Sequence, residues 1–370
     1  MKRRVTISVS LLATLALLAG CSNEEPALPA PPPKPKTKIG TPTQPAFDPL
    51  AYAVPDRQLD DSNAAKLEAA LLSDSDDAKA HIDLLWYYRG KFGDDDARVQ
   101  ANRHLQWLIT HHPRAAVHGT PAAEVTPLPS REAYDSFEAQ WLKQAQANPD
   151  DALIQGHAGV FMARANPPQA AKLLEKAIEL DGENPLWSEH LAEVYREQAT
   201  VAANGARARW AARALALYDV ALANTKSELK QRYLLERMAT IALMASDRDA
   251  ASKHAIALLK LAKEEKPGAD RAATIHNAHV VLGRLGLLGD DVKGAADHLA
   301  KAGEALNAQN ILLSQLDLSL ASAMLAQDDK QPAISYLQHV AKATQAPVVT
   351  KWITTVEAGD MPDFGPYLPQ

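Results

Sequence analysis

The sequence predicts an all-α chain, a solenoid of stacked helical hairpins behind a disordered proline-rich tether. Three observations predict it. Beyond residue 50, apolar residues recur at spacings of three and four, and strand-like alternation is absent. Glycines and prolines fall mainly between those runs. A small–large–small apolar face followed by a helix stop recurs along the chain.

The elements follow in order. "MKRR" is basic, and the apolar run from Val5 to Ala19 is shorter than the ~20 residues that span a bilayer. This pattern describes an export signal over 1–20. The residues Leu18-Ala19-Gly20-Cys21 resemble the lipobox of bacterial lipoproteins. The resemblance implies cleavage between Gly20 and Cys21, lipid and palmitate chains on Cys21, and attachment to a membrane through them. One acyl chain holds weakly, at about 0.8 kcal/mol per buried methylene, whereas several on one residue hold durably. Ser22, where an aspartate resembles an inner-membrane retention signal, points to the outer membrane, facing the periplasm. The alternative is an ordinary secretory signal with an incidental cysteine.

Cys21 is the single cysteine of 370 residues. Once it carries lipid, neither a disulfide framework nor a cysteine-ligated metal site is available. Apolar packing has to hold the core, and the roughly 320 residues beyond the tether suffice for one. The formal charge is −6, and −9 without Lys2, Arg3 and Arg4. Such an acidic chain is a poor candidate for binding nucleic acid or an anionic membrane surface, and no nucleic-acid partner is expected.

Residues 21–49 form the tether. Nine prolines fall between Pro26 and Pro49, including "PAPPPKPK", which favours extended polyproline II. It is a spacer or a PxxP docking segment. Residues 50–113 read as an N-terminal helical unit. Segment 114–130, with three prolines, reads as a loop. Residues 131–358 carry the main array, with "APVVTKWITTVEAG" as a capping helix. The tail, 359–370, lies over the last repeat or is disordered.

The repeat is clearest in "PPQAAKLLEKAIELDGENP", where Ala170, Leu174 and Ala177 share one helix face before a Gly182–Pro185 stop. "PLWSEHLAEVYRE" then supplies Leu191, Ala192 and Tyr195. These patterns resemble the second and first helices of a tetratricopeptide (TPR) repeat. Further triplets are Ala214, Tyr218, Ala221; Ala295, Leu299, Ala302; Ala333, Leu337, Val340; and Ala101, Leu105, Leu108. A weaker one uses Ala250 and Ala257. The insertion between Tyr195 and Ala214 contains Asn204-Gly205, a helix break. The resemblance covers about residues 76–343. It implies a right-handed α–α superhelix whose first helices line a concave side, each hairpin burying what it cannot hide alone.

Candidate chemistry has bland readings. His276 and His279 are three apart like a metal pair, but His279 falls on the packing face. His111-His112-Pro113 ends a helix, where cations suit the dipole. Asp74–Asp77 and Asp94–Asp96 lack the calcium-loop pattern and precede helices, where aspartate caps free amides. "GRLGLLGDD" is no phosphate loop; it reads as a helix stop at Gly289 and a start at Asp290 or Asp291. Arg207, Arg209 and Arg213 read as a solvated face. No GxSxG, HExxH or cysteine nucleophile occurs. No metal and no cofactor is expected.

The repeat register places Gln155, Glu189, His190, Glu193, Arg196, Arg232, Glu236, Asn277, Arg284 and Gln315 in the concave groove. Its mixed charge suits an extended peptide or a protein surface. The expected function is therefore a non-catalytic protein–protein interaction scaffold, in envelope assembly or secretion. The alternative is an envelope enzyme or regulatory subunit acting on peptidoglycan or polysaccharide, with the solenoid as its platform.

Overall fold

The computed structural model describes residues 53–55, 58–306, 311–327, 329–365 and 368. The expected signal segment, the Gly20–Cys21 processing site and the 21–49 tether lie outside the described residues. Among the described residues there are fifteen α-helices, three short 3-10 turns and no strand. None of those helices is long and apolar enough to cross a membrane.

The helices are α1 (Asp61–Leu71), α2 (Ala78–Arg89), α3 (Asp95–His111), α4 (Arg131–Ala147), α5 (Ala152–Met162), α6 (Pro167–Leu180), α7 (Pro185–Val201) and α8 (Asn204–Asn224). They continue with α9 (Glu228–Met244), α10 (Arg248–Glu264), α11 (Ala269–Leu288), α12 (Val292–Ala305), α13 (Ser319–Leu325), α14 (Gln331–Thr344) and α15 (Pro347–Glu357). Sequence neighbours are the main packing partners: α2 on α3, α5 on α6, α7 on α8, α9 on α10 and α11 on α12. Each pair also touches the next, α6 on α7, α8 on α9 and α10 on α11. This is the α–α solenoid that the periodicity predicts.

Local chemistry sets the helix ends. Asp77 accepts from the Ala80 amide at 3.0 Å and Asp94 from Ala97 at 3.0 Å, so both acidic runs cap helices. Asp291 caps α12 through the Gly294 amide at 2.8 Å, just after α11 stops at Gly289. Each such cap contributes about 1 kcal/mol. Pro167, Pro185 and Pro347 open helices, where their missing amide costs nothing. At the other end, His111 folds its ring back to the Trp107 carbonyl at 2.9 Å.

The small–large–small triplets are the packing faces. Ala170, Leu174 and Ala177 are fully enclosed, as are Ala214, Tyr218 and Ala221, and likewise the 101, 295 and 333 triplets. The weakest one is displaced. Ala250 and Ala257 are only half-buried, while Ala251, Ala255 and Leu258 fill the interface. Most residues of that stretch are small or apolar, so one step of rotation gave an equally plausible face. The long first helix breaks at Ala202–Ala203, directly before Asn204.

Two hydrophobic clusters result. One runs from Ile82 to Val281, the other from Ala272 to Phe364, and both draw on α11. Two non-helical stretches lie between these helices. Residues 114–130 carry 3-10 turns at Ala116–Gly119 and Pro121–Ala123, and a third turn, Leu313–Gln315, precedes α13. Over the last helix, the Trp352 indole donates to the Asp363 carbonyl at 2.9 Å, and Phe364 packs edge-on against the Trp352 ring.

Candidate functional site

The first helices of successive hairpins expose a polar strip. Two clefts of about 500 and 410 Å³ lie on it. They share Arg196, Tyr233 and Arg237, so they form one trough that these three side chains divide. Helices α5, α7, α9 and α11 contribute to its floor. Loop residues 118–127 wall one part, secured by Arg164 on Glu124 at 2.7 Å. Residues 314–317 and Leu368 wall the other.

The centre is Glu193. Its Oε1 accepts the Tyr218 hydroxyl at 2.7 Å and the Tyr233 hydroxyl at 3.0 Å, and its Oε2 accepts Arg196 Nε at 2.7 Å. Arg237 stands 3.6 Å away. Burial alone would raise this carboxyl; the guanidiniums of Arg196 and Arg237 and the Tyr218 hydroxyl outweigh it, and the net shift is downward. Glu193 therefore stays ionised. Burial, reinforced by the Glu193 charge, pushes both phenols up. Three consecutive helices, α7, α8 and α9, are joined at one carboxylate.

Glu236 behaves oppositely. Burial raises its pKa, although the Thr274 hydroxyl donates to it at 3.1 Å and Arg232 and Arg237 are near. Arg232 reaches Glu265 at 3.2 Å and Asp270 at 3.9 Å. Farther along, the Asn277 amide donates to the Gln315 carbonyl at 3.2 Å and accepts the Asp317 amide at 3.2 Å. Those two bonds fix its orientation, so His276 donates from Nδ1 to the Asn277 oxygen at 2.8 Å and accepts the Tyr336 hydroxyl on Nε2 at 2.7 Å. Enclosure pushes His276 down to about 4.

The trough brings together seven of the ten sequence-derived positions: His190, Glu193, Arg196, Arg232, Glu236, Asn277 and Gln315. Three do not line it. Gln155 is 5% exposed and donates to the Ala145 and Asn148 carbonyls, closing the end of α4. Glu189 is buried against Lys230 at 2.8 Å, a tie between α7 and α9. Arg284 is half-buried near Asp317, off the trough floor. These three turn elsewhere because a groove helix presents a strip, not a line, to its neighbours. Gln315 sits in a turn, not in a helix.

Other candidates resolve structurally. Arg213 leaves the solvated face and lies over the Tyr195 ring at 4.7 Å. His276 is the enclosed histidine, while His279 is half-buried, with its Nδ1 3.1 Å from that of His298. No group of three potential ligands among the described residues could hold a metal. The sequence reading missed Tyr218, Tyr233 and Arg237. Tyr233 and Arg237 are four apart, one position beyond Arg232 and Glu236, so a two-row strip would have found them. The 118–127 and 314–317 walls carry no periodic signal.

Neither a family model nor a curated protein matches the sequence. Solved structures are similar at low identity. The APC/C hetero-tetramer Cut9–Hcn1 has a TM-score of 0.36 and 15% identity, over 79% of this chain and 54% of that one. The human IFIT1 dimer with PPP-AAAA has a TM-score of 0.40 and 16% identity, over 76% and 68%. Yeast Tom70 has a TM-score of 0.40 and 19% identity, over 80% and 58%. Likeness at this level carries nothing about ligand or activity.

Proposed function

We propose that this protein is a membrane-anchored, non-catalytic scaffold that holds an extended peptide or protein segment in the trough across α5, α7, α9 and α11. One observation carries the reading: guanidinium, hydroxyl and carboxylate groups are held in fixed positions along a continuous open trough. An extended chain offers bare carbonyls and amides that need such donors and acceptors. Preformed groups cost little ordering entropy on binding. The anchor is lipid on Cys21, after cleavage at Gly20, and it holds the array at the outer membrane facing the periplasm. Support for this comes from the basic start, the short apolar run, "LAGC" and Ser22. The partner class is a protein of envelope assembly or secretion.

The test is co-purification from solubilised membranes with and without Thr240→Trp, which fills the trough floor beside Glu236. A stoichiometric protein partner lost in the variant supports the reading. A partner retained equally by both places binding elsewhere. A second reading, an enzyme or regulatory subunit acting on peptidoglycan or polysaccharide, draws on the opposed shifts of Glu193 and Glu236, the pattern of an acid–base pair. Turnover of a wall fragment, abolished by Glu236→Gln, would establish it.

A further inference from the structure

Two histidine pairs face each other through Nδ1, and they differ in what else they touch. His81 and His104 meet at 3.0 Å, but the Nε2 atoms are engaged, with the Ser75 carbonyl at 3.2 Å and with Glu68 at 3.1 Å. His279 on α11 and His298 on α12 meet at 3.1 Å, with ring centroids 5.2 Å apart. Neither of these two rings makes another hydrogen bond or an ion pair among the described residues, so both Nε2 atoms are open. Both side chains are half-buried, within reach of solvent, and neither lines the trough. The helices are closely set at this point: a Cβ at Gly283 of α11 would stand 3.2 Å from the His298 Cβ.

Burial, then His298 and Lys301, pushes His279 down to about 4, and burial followed by Lys301 lowers His298. Both rings are therefore neutral at pH 7, the form that binds metal. Neutral rings in this arrangement share one proton, one Nδ1 donating and the other accepting. Imidazole nitrogens bind divalent transition ions at about 2.0–2.1 Å, so two in adjacent coordination positions stand about 2.9–3.4 Å apart. The observed separation lies inside that interval, and a tilt of each ring aims both lone pairs at one point with no backbone movement. Asp291 and Asp297 favour a cation there, and Lys301 opposes one.

We propose that His279 and His298 bind one divalent transition ion of the imidazole-preferring class, copper(II) ahead of zinc, with water in the remaining positions. The ion takes the place of the shared proton between the Nδ1 atoms. The donating ring moves that proton to its open Nε2, so no net proton is released. His81 and His104 lack this option, because their Nε2 atoms are occupied. No third protein ligand stands by among the described residues, which makes the site an exchangeable one. Calcium and magnesium require oxygen ligands and do not fit. A bound ion ties α11 to α12, and the proposal does not depend on what the trough binds.

The test uses the full chain carrying Cys21→Ser, so that no thiol competes for metal. Copper(II) at one equivalent is followed by electron spin echo modulation, which counts the imidazoles bound equatorially. Two are expected with the pair intact, and one or none in His279→Gln and in His298→Gln, with the helical circular dichroism unchanged. Zinc at about 100 µM should raise the urea midpoint only while both histidines are present, and magnesium at the same concentration should leave it level. A two-imidazole signal that persists in both variants marks an adventitious ion only and overturns the proposal. So does a count below two with the pair intact, or a midpoint that magnesium raises as far as zinc.

Discussion

Gly156→Ala is the sharpest test of how the hairpins approach one another. Gly156 lies in α5, and a Cβ there would fall 2.4–2.6 Å from three ring carbons of Trp187 in α7. Ordinary carbon contacts begin about 1 Å farther out. Trp187 is 2% exposed, and His157 packs edge-on against it at 5.7 Å, so the ring has nowhere to swing. Two effects oppose each other. Alanine improves helix propensity by about 0.8–1.0 kcal/mol. Overpacking a closed interface costs about 1–3 kcal/mol, and a contact this short belongs at the upper end. The net expectation is a loss of about 2 kcal/mol, read as a urea midpoint roughly 1 M lower for a slope near 2 kcal/mol per M. Gly205→Ala is the control, since a Cβ there meets nothing within 4 Å; its midpoint should stay level or rise. Adding Trp187→Leu to Gly156→Ala should cost less than the two single changes together. An unchanged or raised midpoint for Gly156→Ala would refute the reasoning.

Glu193→Gln should destabilise by about 2–3 kcal/mol, because Arg196 and two phenols lose a charged acceptor. Alkaline titration at the tyrosine absorbance should show the highest phenol transitions moving down; no movement would mean that burial alone holds them up. Acid should destabilise the fold from about pH 6.5 toward 4. His118, His157 and His276 are pushed down to about 3, 4 and 4 by burial, so below 6.5 the unfolded chain binds protons that the folded chain refuses. At 1.36 kcal/mol per unit, His157 and His276 can each remove about 3 kcal/mol at the limit and His118 about 5 kcal/mol. His157→Phe should therefore show a shallower decline of urea midpoint with falling pH than the unaltered chain, and an equal slope would assign the acid sensitivity elsewhere. Cys21→Ala should leave an unprocessed precursor or release the protein to the soluble fraction; a processed, membrane-bound variant would sink the anchor.

Much of the fold was legible because close helix packing demands small residues at fixed intervals. Ala170, Leu174 and Ala177 announce a buried face with no alignment needed, and all three are enclosed. The register failed at Ala250 and Ala257, where alanines are so frequent that adjacent faces look alike. The trough was half legible. Polar residues on the first helices could be found by period, but Gln155 and Glu189 turn inward to a helix end and a lysine. Nothing in the period distinguishes a side chain that faces a partner from one that satisfies its own backbone. Apart from Gln315, the walls at 118–127 and 314–317 could not be assigned to the trough, because irregular segments have no repeat. Only tertiary bonds such as Asn277 on Gln315 place them.

Helix α11 has a mechanical consequence. Ala278 and Val281 belong to the first hydrophobic cluster, whereas Ala272, Ala273 and Val280 belong to the second. Among the described residues the two blocks meet along this shared helix, one cluster on each of its faces. The trough passes over the same helix between Arg237 and Gln315. A segment seated there, as proposed above, would touch side chains rooted in both blocks and would brace them against one another.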